Sequence, residues 1–73
     1  MDRDLFRLLR NDLESRGREV FLWKEVRTCT VITGYDDQHH PLVCGKPAWI
    51  NAARPYHQGW WHDNVCEEHS RTF

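Results

Sequence analysis

The sequence has no long apolar run, and it has too few cysteines for a disulfide framework. It contains three cysteines in 73 residues, so these cannot all pair with one another. The opening residues show no signal-peptide pattern. No segment provides the roughly 20 apolar residues that a membrane-spanning helix needs. We therefore expect a protein of a reducing compartment, without a membrane partner, whose thiols remain available to a metal ion.

An excess of positive charge is also missing. Ten Lys and Arg residues oppose eleven Asp and Glu residues, which gives a formal net charge of −1. Proteins that bind nucleic acid normally carry a basic surface, because phosphate contacts supply most of the affinity. We therefore expect a protein partner, with nucleic acid contacted at most indirectly.

A chain of 73 residues is too short to build a large apolar core. Domains of this size rarely gain more than about 3–5 kcal/mol from their core, and they usually need a disulfide or a metal ion in addition. Structural zinc in finger peptides contributes an apparent binding energy of about 10–16 kcal/mol, which is enough to decide folding. The three cysteines are candidate ligands, although free cysteine is also a common small core residue.

The carboxyl-terminal part of the chain supplies a metal-ligand pattern. Cys66 and His69 are three residues apart, which places both side chains on one face of a helical turn. Cys44-Gly45 is typical of a tight turn in which backbone amides approach a thiolate. Thiolate and imidazole are ligands that zinc prefers, and four of them in a tetrahedron make a closed structural site. The fourth ligand must then come from upstream.

Two upstream residues are candidates for the fourth position. Cys29 is the remaining cysteine, whereas His40 lies four residues before Cys44, within the usual ligand spacing. Three thiolates bind zinc more firmly than two, and the choice of Cys29 leaves no cysteine unexplained. We therefore predict that Zn²⁺ binds Cys29, Cys44, Cys66 and His69, with His40 in place of Cys29 as the open alternative.

The pattern along the chain predicts a small, zinc-stapled α+β domain that covers residues 1–73. Residues 2–16 carry an apolar stripe typical of an amphipathic helix, with Asp2 as its N-cap and Gly17 as its left-handed C-terminal cap. β-branched and aromatic residues then predict two short antiparallel strands, at roughly 19–26 and 28–33.

A knuckle, a hairpin and a short helix are expected after these strands. The knuckle is at Cys44, and residues 47–51 form a returning strand. Asn64 is expected to cap a short last helix, with Glu67 completing a capping-box-like pair. We expect this helix to deliver the last two ligands to the metal.

Residues 54–61 predict an aromatic loop between the returning strand and the last helix. Trp and Arg dominate the energetic hot spots of protein interfaces, so Trp60, Trp61 and Arg54 are candidate partner-binding residues. A small domain also needs tryptophan in its core. We therefore expect at least one of the two tryptophans to be buried.

Two stretches carry a resemblance to known families. Cys44-Gly45-Lys46-Pro47-Ala48, followed by Cys66-Glu67-Glu68-His69-Ser70-Arg71, resembles the second half of small treble-clef-like zinc modules with three cysteines and one histidine, found in phage and bacterial proteins. In those modules the first cysteine usually lies closer to the second, so residues 35–42 count as an insertion. Over its length and in its Met1-Asp2-Arg3-Asp4-Leu5 opening, the chain is similar to small regulators of host RNA polymerase from lytic phages of Xanthomonas.

The second resemblance implies a transcription regulator, not an enzyme, in the cytoplasm of the host bacterium. Such regulators bind RNA polymerase at the amino-terminal region of the β′ subunit and inhibit σ-dependent initiation. They also occupy the RNA-exit channel, with NusA as a companion, so that a terminator hairpin cannot form. Steric obstruction of this kind requires occupancy of the channel and no catalytic group.

Two other functions stay open. Asp37, His39, His40, Asn51 and His62 follow the order of the His-Asn-His metal-dependent nucleases, in which Asn orients a histidine that acts as base on water. Their spacing here is compressed, and no basic stripe is present to hold DNA. The other alternative is a zinc module that binds nucleic acid directly, with an affinity that falls steeply as salt rises.

Overall fold

The computed structural model describes residues 1–73 as two helices and five strands. In chain order the elements are α1 (Arg3–Ser15), β1 (Glu19–Thr28), β2 (Ile32–Tyr35), β3 (Pro41–Val43), β4 (Pro47–Tyr56), β5 (Gly59–Val65) and α2 (Glu67–Ser70). All strand pairs are antiparallel. The predicted α+β class, with antiparallel strands between an amino-terminal and a short carboxyl-terminal helix, is confirmed. Neither helix combines the length and the apolar character needed to span a membrane.

The first helix forms within one residue of its predicted ends. The Asp2 carboxylate accepts hydrogen bonds from the backbone N–H groups of Asp4, at 2.7 Å, and of Leu5, at 3.4 Å. These contacts satisfy amides that have no partner inside the helix. At the other end Gly17 has φ +79°, a left-handed conformation that glycine adopts without steric cost.

The strands form two separate sheets. One sheet has three strands in the order β1-β4-β5, and the other is the β2–β3 hairpin. The pairing of β1 with β4 shifts register between Leu22 and Arg27, so this part of β1 bulges out of the ladder. The pairing of β4 with β5 continues without a shift from Ile50 opposite Val65 to Tyr56 opposite Gly59.

One face of the three-stranded sheet packs against α1. The core cluster consists of Leu9 and Leu13 from the helix and of Ile50, Ala52 and Val65 from the sheet. Only 10 of the 73 residues are buried, so the apolar core is small, as expected from the chain length. A second buried cluster lies beside it and is formed by Cys29, Ala48 and Cys66. This second cluster contains two of the candidate metal ligands, Cys29 and Cys66, and Cys44 packs against it.

Two predicted strand boundaries were wrong. β1 continues to Thr28 and β2 begins at Ile32, so Cys29 lies in the connection and not in a strand. Residues 54–61 form no loop, because β4 and β5 extend through them and turn at His57 and Gln58. Pro55 and Gly59 are typical loop signals, but the aromatic residues around them favour a pleated surface, and cross-strand contacts override the loop signals.

The predicted cap of the last helix was also wrong. Asn64 lies in β5, and Cys66 is the N-cap of α2. The Cys66 sulfur accepts a hydrogen bond from the backbone N–H of His69 at 3.5 Å. The thiol therefore does at this helix end what a Ser or Asp side chain usually does.

The packing of α1 predicts a sharp contrast between two of its leucines. Leu13 is fully buried, whereas Leu8 is 68% exposed. Leu13→Ala should lower the free energy of unfolding by about 2–5 kcal/mol, because it removes buried methyl groups and leaves a cavity. Leu8→Ala, the matched control on the same helix, should change it by less than about 0.5 kcal/mol. Denaturant titration of both variants measures the difference, and equal losses would contradict this packing.

Candidate metal centre

The β2–β3 hairpin returns the chain to Cys29. The Cys29 N–H donates to the Lys46 carbonyl at 2.8 Å, and the Gly45 N–H donates to the Cys29 carbonyl at 3.1 Å. The Cys44 N–H donates to the Val31 carbonyl at 2.9 Å. Gly45, with φ +76°, supplies the left-handed turn at the knuckle. The segment that separates Cys29 from Cys44 is therefore a hairpin insertion with both cysteines at its base.

The other two candidate ligands come from the first turn of α2. This helix begins directly after β5, so the buried end of that strand fixes the position of Cys66. His69 lies three residues further on, and its Nδ1 is 3.4 Å from the Cys66 sulfur. The Nδ1 atom faces the cluster, so it is the nitrogen available to a metal.

These four side chains meet in one cluster. One ligand atom from each of Cys29, Cys44, Cys66 and His69 lies within 4.8 Å of all the others. The Cys29 sulfur is 3.5 Å from His69 Nδ1, and the sulfurs of Cys44 and Cys66 are 4.0 Å apart. Cys29 and Cys66 are buried, and the other two are half-buried. The predicted ligands are thus close together and could bind a metal ion.

The alternative ligand His40 lies outside this cluster. It is in the turn between β2 and β3, where its Nδ1 is 3.2 Å from Asp36 Oδ2. The Asp36 carboxylate also accepts hydrogen bonds from the backbone N–H groups of Gln38 and His40. His40 therefore belongs to a local turn network, and Cys29 takes the fourth position.

The protein environment acts differently on two of the thiols. Burial raises the pKa of the Cys29 thiol to about 11. The backbone N–H of Lys46 lowers the pKa of Cys44, because it donates to the thiolate. Cys44 is thus the readier thiolate of the two, and a metal that binds Cys29 must displace its proton.

A surface cavity of about 460 Å³ lies beside the cluster. It is lined by Lys46, Pro47, Cys66, Glu67, Glu68 and Arg71. Lys46 Nζ contacts Glu68 at 2.6 Å, and the guanidinium of Arg71 contacts Glu67 at 3.3 Å. The Lys46–Glu68 contact raises the pKa of the lysine and lowers the pKa of the glutamate. Every charged residue of the cavity is thus in an ion pair.

The residues of the nuclease hypothesis are divided between two hairpins. Asn51 Oδ1 is 3.3 Å from His62 Nδ1 on the three-stranded sheet. His39 and His40 lie in the turn of the other hairpin, where His39 has φ 63°. None of these residues belongs to the group that could hold a metal. The structure therefore brings together one histidine and one asparagine of the predicted motif.

The candidate partner-binding residues lie on the β4–β5 hairpin. Trp60 is 48% exposed and Trp61 is 39% exposed, so the expectation that one of them is buried was wrong. The core is filled by aliphatic residues, and both tryptophans lie near the turn of the hairpin, outside the core cluster. The guanidinium of Arg54 lies 5.6 Å from the ring centre of Phe73.

Trp61 is held in place by its neighbours. Its indole N–H donates to Asp63 Oδ2 at 2.7 Å, and its ring lies 5.4 Å from that of Tyr56. Tyr56 was not predicted as part of this surface, because residues 54–61 were interpreted as a loop. In a hairpin Tyr56 pairs with Gly59, and Tyr56 and Trp61 then point to the same face.

A second aromatic group, on β1, was also not predicted, and in it Phe21 is exposed and Trp23 is half-buried. The rings of Phe21 and Trp23 meet edge to face at 5.0 Å, and the guanidinium of Arg27 lies 3.9 Å from the ring centre of Trp23. The indole N–H of Trp23 donates to Asn64 Oδ1 at 2.8 Å. The alternation of residues 21 and 23 on a strand was the available signal.

The comparisons with known proteins provide no relative for this chain. No family model matches it, and no curated protein or solved structure matches it. The arrangement of the four candidate ligands is therefore interpreted from its own geometry.

Two histidines provide a matched test of the ligand set. His69→Ala should remove most of the bound metal, because it deletes one of four converging donors. His40→Ala should leave one metal ion per chain, because His40 contacts only the turn at Asp36. Metal content of the purified variants, by elemental analysis, distinguishes the two. Metal lost in His40→Ala and retained in His69→Ala would contradict this site.

Proposed function

We propose that the cluster binds Zn²⁺ as a structural metal. Three cysteines and one imidazole nitrogen form a donor set that suits zinc, and carboxylates do not contribute. A zinc tetrahedron with Zn–S of about 2.3 Å and Zn–N of about 2.0 Å has S···S edges of about 3.8 Å and S···N edges of about 3.5 Å. The S···S separation of 4.0 Å and the S···N separations of 3.5 and 3.4 Å lie close to these values.

The donor count supports a structural role for this zinc. Four protein ligands fill a tetrahedron, whereas catalytic zinc keeps one position open for water or substrate. The ligands come from three places, namely the end of β1, the knuckle after β3 and the start of α2. One ion would therefore connect three segments of the chain at a point beside the small apolar core.

We further propose that the zinc-stapled domain is a transcription regulator that acts by binding a protein. The observation that carries this proposal is the exposed aromatic hairpin formed by Tyr56, Trp60 and Trp61. Exposed tryptophans held in a fixed orientation are typical of binding hot spots, because little conformational entropy is lost on docking. The near-neutral charge favours a protein partner over a phosphate backbone.

The choice of partner comes from the resemblance of the sequence to small phage regulators of host RNA polymerase. We infer that the hairpin docks on host bacterial RNA polymerase, at the amino-terminal region of the β′ subunit near the RNA-exit channel. The domain measures about 40 × 29 × 19 Å, so it is large enough to obstruct a channel for single-stranded RNA. Occupancy there would prevent a terminator hairpin from forming, with NusA as a companion, and would interfere with σ-dependent initiation.

Polymerase binding can be tested with two aromatic variants. The immobilised protein should recover RNA polymerase from a bacterial lysate and should raise readthrough on a terminator template. Trp61→Ala should weaken both effects by at least about tenfold, since hot-spot truncation costs about 2 kcal/mol or more. Tyr35→Ala, an exposed aromatic residue on β2, is the control and should retain both.

Two outcomes would contradict the assignment. The first is the absence of both polymerase recovery and readthrough with a metal-loaded, folded protein. The second is cutting of a supercoiled plasmid in the presence of Mg²⁺ that His62→Ala abolishes, which would favour the nuclease. The contact between Asn51 and His62 makes this variant the most direct control for nuclease activity.

A further inference from the structure

Strand β5 has a free hydrogen-bonding edge. It is the last strand of the β1-β4-β5 sheet. The backbone N–H of Asn64 donates to Thr30 Oγ1 at 2.9 Å, and its carbonyl accepts from the Thr30 N–H at 2.9 Å. The backbone groups of Asn64 therefore point away from β4, on the outer side of β5.

The backbone groups of Trp60 and His62 also point away from β4. In an antiparallel ladder every second residue points its N–H and C=O to the same side. The β4–β5 register has no shift, so Trp60 and His62 share the outward direction of Asn64. Pro55 lies opposite Trp60 and has no N–H, which suits a pair whose backbone groups face away from each other.

These outward groups have no partner within the chain. No turn, loop or cap hydrogen bond involves the backbone of Trp60 or His62. No side chain bonds to their backbone N–H or C=O either. Two donors and two acceptors are thus available along this edge, between the turn at Gly59 and the contact with Thr30.

The two edges of the sheet differ in their protection. The outer edge of β1 bulges between Leu22 and Arg27 and carries charged Lys24 and Glu25, which are features that prevent strand pairing. The edge of β5 has a regular register and no Lys, Arg, Glu or Pro. Its one charged residue, Asp63, accepts hydrogen bonds from the side chains of Thr30 and Trp61. An unprotected edge of this kind is a template for another strand.

We propose that a second copy of this chain pairs antiparallel with the β5 edge and forms a two-fold symmetric dimer. In this register Trp60 lies opposite His62 of the second copy, and Trp61 lies opposite its own counterpart. The two-fold axis also places His62 opposite Trp60 of the second copy, so the backbone N–H and C=O groups of both residues bond across the interface. The interface is then self-complementary, as two-fold symmetry requires.

The side chains agree with this register. The Trp61 pair occupies a non-hydrogen-bonded position, where directly opposite side chains approach most closely and aromatic pairs stabilise a sheet. Trp61 is already oriented by Asp63 and Tyr56. The pairing ends at Thr30 on one side and at the hairpin turn on the other, which selects this register over shifted ones.

The dimer should be weak, because the free part of the β5 edge is short. Pairing that covers only residues 59–63 is short, whereas stable complexes typically bury roughly 1,200 Å² or more. The dimer should therefore dissociate on dilution. It goes beyond the proposed polymerase binding, and it covers Trp60 and Trp61, so a chain in the dimer would not present these residues to polymerase.

Analytical ultracentrifugation of the isolated metal-loaded protein tests the dimer without polymerase. The average mass should rise from 8.8 kDa towards twice this value as concentration increases from about 10 µM to about 1 mM. Trp61→Lys places like charges opposite each other and should weaken association by at least about tenfold. Tyr35→Lys, on exposed β2, is the control and should associate like the unmodified chain.

Amide hydrogen exchange of the unmodified chain provides a test that does not depend on a variant's folding. At high concentration the amides of Trp60 and His62 should gain protection, because they become hydrogen-bonded across the dimer. A mass of 8.8 kDa at about 1 mM would overturn the proposal. A dimer that leaves both amides unprotected, or that forms equally well with folded Trp61→Lys, would also overturn it.

Discussion

The arrangement of the chain depends on the convergence of four donor atoms at one point. Cys29, Cys44, Cys66 and His69 bring together the end of β1, the knuckle and the start of α2. Only a small set of aliphatic residues packs between α1 and the sheet, so apolar burial stabilises this arrangement little. A metal ion at the cluster would supply the missing free energy of folding, because the donor set does not exist in the unfolded chain.

This constraint leaves the two hairpins with different tasks. The β2–β3 hairpin has its base at Cys29 and Cys44, so it is an insertion between two candidate metal ligands. The β4–β5 hairpin extends beyond the core and carries exposed tryptophans and an unpaired strand edge. Both proposed contacts, with polymerase and with a second copy of the chain, use the β4–β5 hairpin.

The sequence predicts elements whose signals are local. The cap at Asp2, the glycine at position 17 and the spacing of Cys66 and His69 each depend on neighbouring residues, and the structure has them in place. The sequence left the choice between Cys29 and His40 to ligand chemistry, because no local signal shows which of them reaches the site. In the structure the long-range hydrogen bond from the Cys29 N–H to the Lys46 carbonyl places Cys29 there. The expectation that Trp60 or Trp61 is buried was wrong, since burial depends on how aliphatic side chains fill the core.

The dependence of the fold on its metal is tested most directly by chelation, followed by two-dimensional NMR. The isolated chain should lose its dispersed amide spectrum when the metal is removed, and one equivalent of Zn²⁺ should restore it. Calorimetry of the same titration should give one site per chain. A spectrum that stays dispersed after exhaustive chelation would contradict the account, because the strands and helices would then be held by the apolar core alone.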